Sequence, residues 1–296
     1  MALAIRTDLA EEAHALWREG AGETTRLPGV RARDEEAEGF PVTRVEILDE
    51  EGETALGKPR GIYLTLDITA LWRREEDAFA RVVRAGGELV SPLLPEEGAV
   101  LVAGLGNAAM TPDARGPRTL DHLLVTRHLM EVLPGMRSVA GLGAGVLGTT
   151  GLEVAEWVRG AAEHVRPAAV VVVDALAARG LDRLCNTIQI SDTGLVPGSG
   201  VGNHRMALNR EGLGVPVLSM GVPTVVDAQT VARDILTEAG AGDLSPAALH
   251  GQGSRLFVTP DSIDAKIRDL AKVLGYGLDM ALQPGVEIED LEALMA

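Results

Sequence analysis

Two aspartates stand where hydrophobic runs give way to loops. Asp113 lies in AVLVAGLGNAAMTPDARGP (99–117), just past a buried-looking run and a turn on two glycines, and Asp174 closes the β-branched run AAVVVVD and opens DALAAR. In an open α/β sheet, chemistry gathers in the crevice outside the carboxyl ends of the strands. Two carboxylates whose pKa values are pushed apart there supply one general base and one general acid. Each residue also has a purely structural reading. Asp113 follows Thr111-Pro112 and fits an Asx-type turn, while Asp174 fits the cap of a helix starting at Ala175.

Other motifs compete for the role of active site. Gly143 to Gly148 (GAGVLG) matches G-x-G-x-x-G, follows a run with strand character and precedes the strand that ends in Asp174. That is the outline of a dinucleotide site, so an NAD-dependent oxidoreductase built on a 143–174 βαβ unit is the alternative reading. Against it, the helix starts near Gly151, several residues late, and the acid lies beyond the usual spacing of about 20 residues. Asp192, in Ile190-Ser191-Asp192-Thr193-Gly194, carries an Asp-Thr-Gly triplet. Pepsin-like enzymes need two such loops face to face, and there is one here. Asp192 stays a candidate loop residue at the same expected sheet edge. Gly104, Gly106, Asn107, Gly198 and Gly200 are the other candidate loop positions, in the two Gly-rich loops whose N–H groups can hold an oxyanion. The six histidines are scattered, and His122 and His128 are six apart on an expected helix, so neither a metal centre nor any cofactor is expected. Gly198 to Asn203 lacks the Gly-Lys-Ser/Thr ending of a P-loop, and no G-x-S-x-G elbow is present.

The elements that must position these residues follow from the hydrophobic pattern. Of 296 residues 46% are hydrophobic but only 3% aromatic, so the core is Val, Leu, Ala and Ile, which favours α/β architecture. A helix is expected over 9–20, paired strands over 41–49 and 61–69 around an acidic turn at 49–57, and a helix over 72–85. From Ala99 strands and helices alternate: strand 99–103, helix 117–131, strand 137–141, helix 151–165, strand 169–173, strand 186–190, a long Gly-rich loop 191–203 and strand 215–220. A loop and helix follow in VPTVVDAQTVARDILTEAG, and a closing helix within 260–282. The expected fold class is α/β, a largely parallel or mixed sheet covered by helices on both faces. A net charge of −16 speaks against direct nucleic-acid binding or an anionic membrane surface. Cys185 is the single cysteine, so no disulfide framework exists. Arg6 and Asp8 interrupt any secretory signal, and no apolar run is long enough to span a bilayer, so the expected location is cytoplasmic.

GLGNAAMTPDARGP (104–117), LLVTRHL (123–129), GVLGTTGLE (145–153), DALAAR (174–179), TIQISDTGLVPGSGVGN (187–203) and GVPTVVDA (221–228) together resemble the spore germination proteases of endospore-forming Firmicutes. The resemblance implies an atypical aspartic endopeptidase on an α/β fold similar to the hydrogenase-maturation proteases. Its substrates would be the small acid-soluble proteins that coat DNA in dormant spores, and its location the forespore or spore core. It implies a homotetrameric zymogen that removes its own N-terminal segment. The proposed catalytic carboxylates of the family fall on Asp113 and Asp174. Self-cleavage falls within Arg6-Thr7-Asp8-Leu9-Ala10, between Asp8 and Leu9, so 1–8 would be a propeptide. Residues 9–296 would form a single α/β peptidase domain, with N-terminal strands and helices over 9–98 and the alternating core over 99–296. As an ordinary helix start, the same stretch offers Thr7 or Asp8 as an N-cap. The chain departs from the family pattern at Ala144, where a proline is expected before Gly-Val, and in a shorter 238–256 stretch. A hydrogenase-maturation-like peptidase, a further alternative, would want a nickel-sensing histidine near these loops, and none lies there.

Overall fold

The computed structural model describes residues 7–21, 27–201, 205–240 and 256–295. The expectations for residues 1–6, for Gly202, Asn203 and His204, and for most of 238–256 lie outside them.

Runs of β-branched and small apolar residues build the sheet. Its strands are β1 (Val30–Ala37), β2 (Phe40–Ile47), β3 (Gly61–Asp67), β4 (Val100–Leu105), β5 (Val139–Gly145), β6 (Ala169–Ala178), β7 (Thr187–Ser191), β8 (Val217–Asp227) and β9 (Phe257–Val258). They lie in the order β1-β2-β3-β7-β8-β6-β4-β5, with β9 pairing the end of β8. Half of the sheet is parallel (β8, β6, β4, β5) and half antiparallel (β1, β2, β3, β7, the last against β8). The sheet is thus mixed. Helices α1 (Ala10–Ala21), α2 (Glu50–Leu56), α3 (Thr69–Trp72), α4 (Ala78–Val90), α5 (Arg115–Leu120), α6 (Leu147–Thr150), α7 (Val154–Val165), α8 (Arg210–Leu213), α9 (Ala228–Glu238), α10 (Ile263–Leu282) and α11 (Ile288–Leu294) complete the fold.

Because side chains alternate along a strand, β6 serves two cores. Val171 and Val173 face a large cluster with α4, α10 and α11, while Val170 and Val172 face a smaller one with Val154, Ala155 and Val158 of α7. Helices therefore cover both faces. None of the described helices is long and apolar enough to cross a membrane.

Several elements depart from the sequence expectation, each for a visible reason. β6 does not stop before Asp174, because its residues through Ala178 pair with β8, so no helix begins at Ala175. The helix expected over 117–131 is cut to α5, since the Leu124 N–H is taken by Asp279 and the Thr126 N–H by the Val139 carbonyl. The helix expected over 72–85 becomes α3 and α4, broken by positive φ at Arg74 and Asp77. The acidic turn at 49–57 contains α2, capped by the Asp49 carboxylate and ended by Gly57 in the left-handed region.

Asp279 is a buried acid outside the cleft. Both of its oxygens accept the Leu124 N–H, at 3.0 and 3.1 Å, and burial pushes its pKa up to about 8. The folded state therefore holds a proton that the unfolded chain has lost, so stability falls as pH rises from about 4 towards 8. Asp279→Asn keeps the acceptor and removes that cost. A melting temperature higher by a few degrees at pH 7.5, with little change at pH 4, is the expected result of thermal denaturation at the two pH values.

Candidate active site

The crevice opens where β4 ends and β6 runs on beyond it. β4 pairs with β6 only as far as Gly104 opposite Val173, which leaves the edge of β6 from Asp174 onward free on that side. After β4 the chain turns back through a 3-10 turn, Thr111–Asp113, and the Asp113 carboxylate accepts the Asn107 N–H at 2.7 Å. Gly106 makes this possible. Its φ is +109°, and a methyl group there would run into the Asp113 carbonyl. Gly106→Ala should strain the loop by roughly 1–3 kcal/mol and move Asp113. The expected readout is a lowered denaturation midpoint together with a cleavage rate that falls more than the lost stability accounts for.

Asp174 projects on the same face of β6 as Val170 and Val172, only 8% exposed, with its Oδ1 accepting the N–H of Ala175 at 2.8 Å. Asp113 and Asp174 both line a cavity of about 660 Å³. Burial, then the Asp113 charge, and then the Asp8 charge push the Asp174 pKa up to about 8 against the counter-pull of the Ala175 N–H and Arg115. Asp113 is half-buried. Burial raises its pKa too, and the Asn107 N–H opposes that shift.

A third carboxylate, from Asp8, lines the same cavity. The N-terminal segment lies along the free edge of β6. Asp8 donates its N–H to the Ala177 carbonyl (2.9 Å), and its carboxylate accepts the Ala177 N–H (2.8 Å) and the Ser199 hydroxyl (3.0 Å). Leu9 is fully buried against Leu176, Ala178, Leu184 and Val226. The Glu12 carboxylate accepts the N–H groups of Arg179 and Gly180, both at 2.8 Å, and the Thr7 hydroxyl. Lys58 Nζ donates to the carbonyls of Thr7 (3.2 Å) and Asp8 (3.0 Å). Gln189 spans Leu9, donating from Nε2 to the Asp8 carbonyl (2.9 Å) and accepting the Ala10 N–H at Oε1 (2.8 Å). Thr7 acts locally, accepting the Leu9 N–H, while the Asp8 side chain is spent on Ala177 and Ser199 and does not cap α1.

The other expected loop positions divide. Gly106, Asn107 and Gly198 belong to the cleft, and Gly200 packs beneath Asp8, where a methyl group would overlap its carboxylate. Gly104 serves packing, with the carbonyl of Gly116 directly against it. Asp192 does not join the other acids. β7 runs antiparallel to β8, so its end lies toward the start of the parallel strands, and the exposed Asp192 carboxylate accepts the Ile62 N–H at 2.7 Å. In the expected dinucleotide fingerprint, Gly143 and Gly145 are part of β5 itself and Gly148 sits in the single turn of α6, so no long helix begins at the glycines. Among the described residues no group of three His, Cys, Asp or Glu side chains is disposed to hold a metal ion. In their local sequence Lys58 and Gln189 carry no signal of a role in this site, and Ser199, a serine in a Gly-rich loop, acts here as a partner of Asp8 rather than as a nucleophile. The one local oddity at Gln189 is an amide inside the apolar strand TIQIS.

A family model described as germination protease matches residues 7–239. The chain belongs to the germination protease family, and is therefore a peptidase. Among curated relatives it is similar to the germination protease of Caldanaerobacter subterraneus subsp. tengcongensis, 43% identical with 99% of this chain and 98% of that protein covered. The germination protease of Clostridium perfringens is 40% identical (98% and 99% covered), and that of Bacillus cereus 36% identical (98% and 96%). Among solved structures, the [NiFe] hydrogenase maturation protease HycI from Thermococcus kodakarensis aligns with a TM-score of 0.36 at 18% identity, covering 64% of this chain and 99% of that one.

Proposed function

We propose that this peptidase is an aspartic endopeptidase that uses Asp113 and Asp174 to direct water onto a peptide carbonyl. The observation that carries the reading is the convergence of both acids with the chain's own Asp8 on one cavity, beside a segment fastened along the free edge of β6. Asp174, the more buried acid, keeps its proton at neutral pH and serves as the general acid. Asp113, half-buried and held by the Asn107 N–H, is the base that takes the proton of the attacking water. Asp174 then protonates the leaving nitrogen. With this assignment the cleavage rate falls as pH rises through about 8, where Asp174 loses its proton, and a pH–rate profile reads that alkaline limb.

In this reading Asp8–Leu9 is the bond the protein cuts in itself, residues 1–8 are a propeptide, and the chain is made as a zymogen. Residues 9–296 work as one peptidase domain. Its intended substrates are the small acid-soluble DNA-binding proteins of the spore, degraded at germination in the spore core by a homotetramer. Incubating the purified protein with such a spore protein, and with an unrelated unfolded protein, tests the substrate claim by the fragments formed. Equal cutting of both would remove it. Light scattering tests the tetramer.

A further inference from the structure

The acids of the cleft account for proton transfer, but hydrolysis also needs donors for the oxygen that becomes negative when water adds. Gly-rich loops were the sequence-based candidates for that role, yet the Asp8 carbonyl oxygen is held by two side chains, Lys58 Nζ at 3.0 Å and Gln189 Nε2 at 2.9 Å. Both distances fall in the range that oxyanion donors adopt, about 2.7–3.1 Å. Resting on the reading that Asp8–Leu9 is the scissile bond, we propose that Lys58 and Gln189 form the oxyanion site of this peptidase.

The sheet register explains how two side chains so far apart in sequence reach one oxygen. Gln189 of β7 stands opposite Gly221 of β8, and Gly221 stands opposite Asp174 of β6. These three residues form one row across the sheet, and residues in such a row project on one face. Gln189 and Asp174 are thus two strand spacings apart, roughly 10 Å, with a residue that has no side chain between them. Gly221 keeps that trough open, since a methyl group there would meet the Asp174 carbonyl and the Leu176 side chain. Asp8, Lys58, Asp174, Gln189 and Gly221 all line a second cavity, of about 180 Å³. The Asp8 carbonyl oxygen faces Gln189 and Lys58, and Asp174 lines the same cavity.

Gln189 has a further asymmetry that suits the task. Its Oε1 is committed to the Ala10 N–H, which fixes the amide so that Nε2 is directed at the Asp8 carbonyl. Lys58 enters from the turn after α2, and its ammonium group is drawn out of water, which lowers its pKa while Asp8 and Glu12 oppose the shift. A cation in a partly dehydrated site stabilises a developing negative charge more than the same cation in water does. In the step itself, water oxygen bonds to the Asp8 carbonyl carbon and the π pair moves onto the carbonyl oxygen, facing Lys58 and Gln189. The water proton passes to Asp113. Collapse of the adduct re-forms the carbonyl and breaks the C–N bond, and the proton of Asp174 goes to the Leu9 nitrogen.

The test follows loss of residues 1–8 by intact mass in the full chain for wild type, Lys58→Met, Gln189→Met and Lys58→Arg. Hydrogen exchange at Thr7–Ala10 is measured on the same samples to report whether the segment stays docked. The expected result is a first-order rate lowered about 100-fold or more in each Met variant with the segment still protected, and partial recovery in Lys58→Arg. Unchanged rates in the Met variants, with wild type cut at Asp8–Leu9, would overturn this assignment alone. A fall in rate that accompanies loss of protection would also overturn it, because the two side chains would then be anchors only. Wild type cut at another bond, or not at all, would instead remove the reading of Asp8–Leu9 and this assignment with it.

Discussion

Asp174→Asn is expected to lower the cleavage rate by about 10³-fold while making the folded chain more stable at neutral pH. Both effects follow from the same burial. The carboxyl is 8% exposed, shares its cavity with Asp113 and Asp8, and has a pKa near 8 in the fold. In the unfolded chain it ionises near 4. Between these values the native state binds a proton that the unfolded state lacks, so stability is lost as pH rises through that window. At pH 7 the cost is on the order of 4 kcal/mol. Asn carries no charge, and its Oδ1 can still accept the Ala175 N–H. Denaturant melts at pH 5 and pH 7.5 should show the gain growing with pH, and a peptidase assay on the same samples should show the loss. A variant less stable than wild type at pH 7.5 would contradict the burial argument, and one fully active would contradict the role.

The second large effect is expected from Leu9→Asp. Leu9 fills an apolar pocket built by Leu176, Ala178, Leu184 and Val226, and its burial is worth roughly 2–3 kcal/mol to the docked segment. A carboxylate in that pocket would lie unpaired among apolar side chains, so the segment should leave the β6 edge. Self-cleavage should fall by more than about 100-fold, since the bond is no longer held beside the acids. Residues 7–12 should at the same time become accessible to an added protease, read by the masses of the fragments. Retained self-cleavage at the wild-type rate would mean that this pocket does not position the bond.

Much of the site was legible because its residues stand in runs with strong local character. Asp174 closes an apolar β-branched run and Asp113 lies in the loop that follows another, and strand ends in a parallel sheet meet at one edge, so their convergence could be argued without coordinates. Where β6 stops could not, since continuation through Ala178 depends on pairing with residues 47 to 48 positions later in the chain. Strand direction was equally hidden. TIQIS reads the same whether parallel or antiparallel, and its direction is what carries Asp192 away from the other acids. β1, VRARDEEA, has no strand signature in the sequence because it is an edge strand exposed along most of its length, with no apolar alternation. The helix after Asp113 is shorter than its sequence suggests because its end is set by Asp279, more than 150 residues away. Lys58 and Gln189 belong to the same class. Neither carries a local signature, and only the path of Thr7 to Ala10 across the sheet gives them a shared target.

The central claim is that Asp113 and Asp174 cut Asp8–Leu9. It is tested most directly by following intact mass with time for wild type, Asp113→Asn and Asp174→Asn under identical mildly acidic conditions. The account predicts loss of residues 1–8 in wild type and in neither variant. Loss of the same eight residues from all three would contradict it.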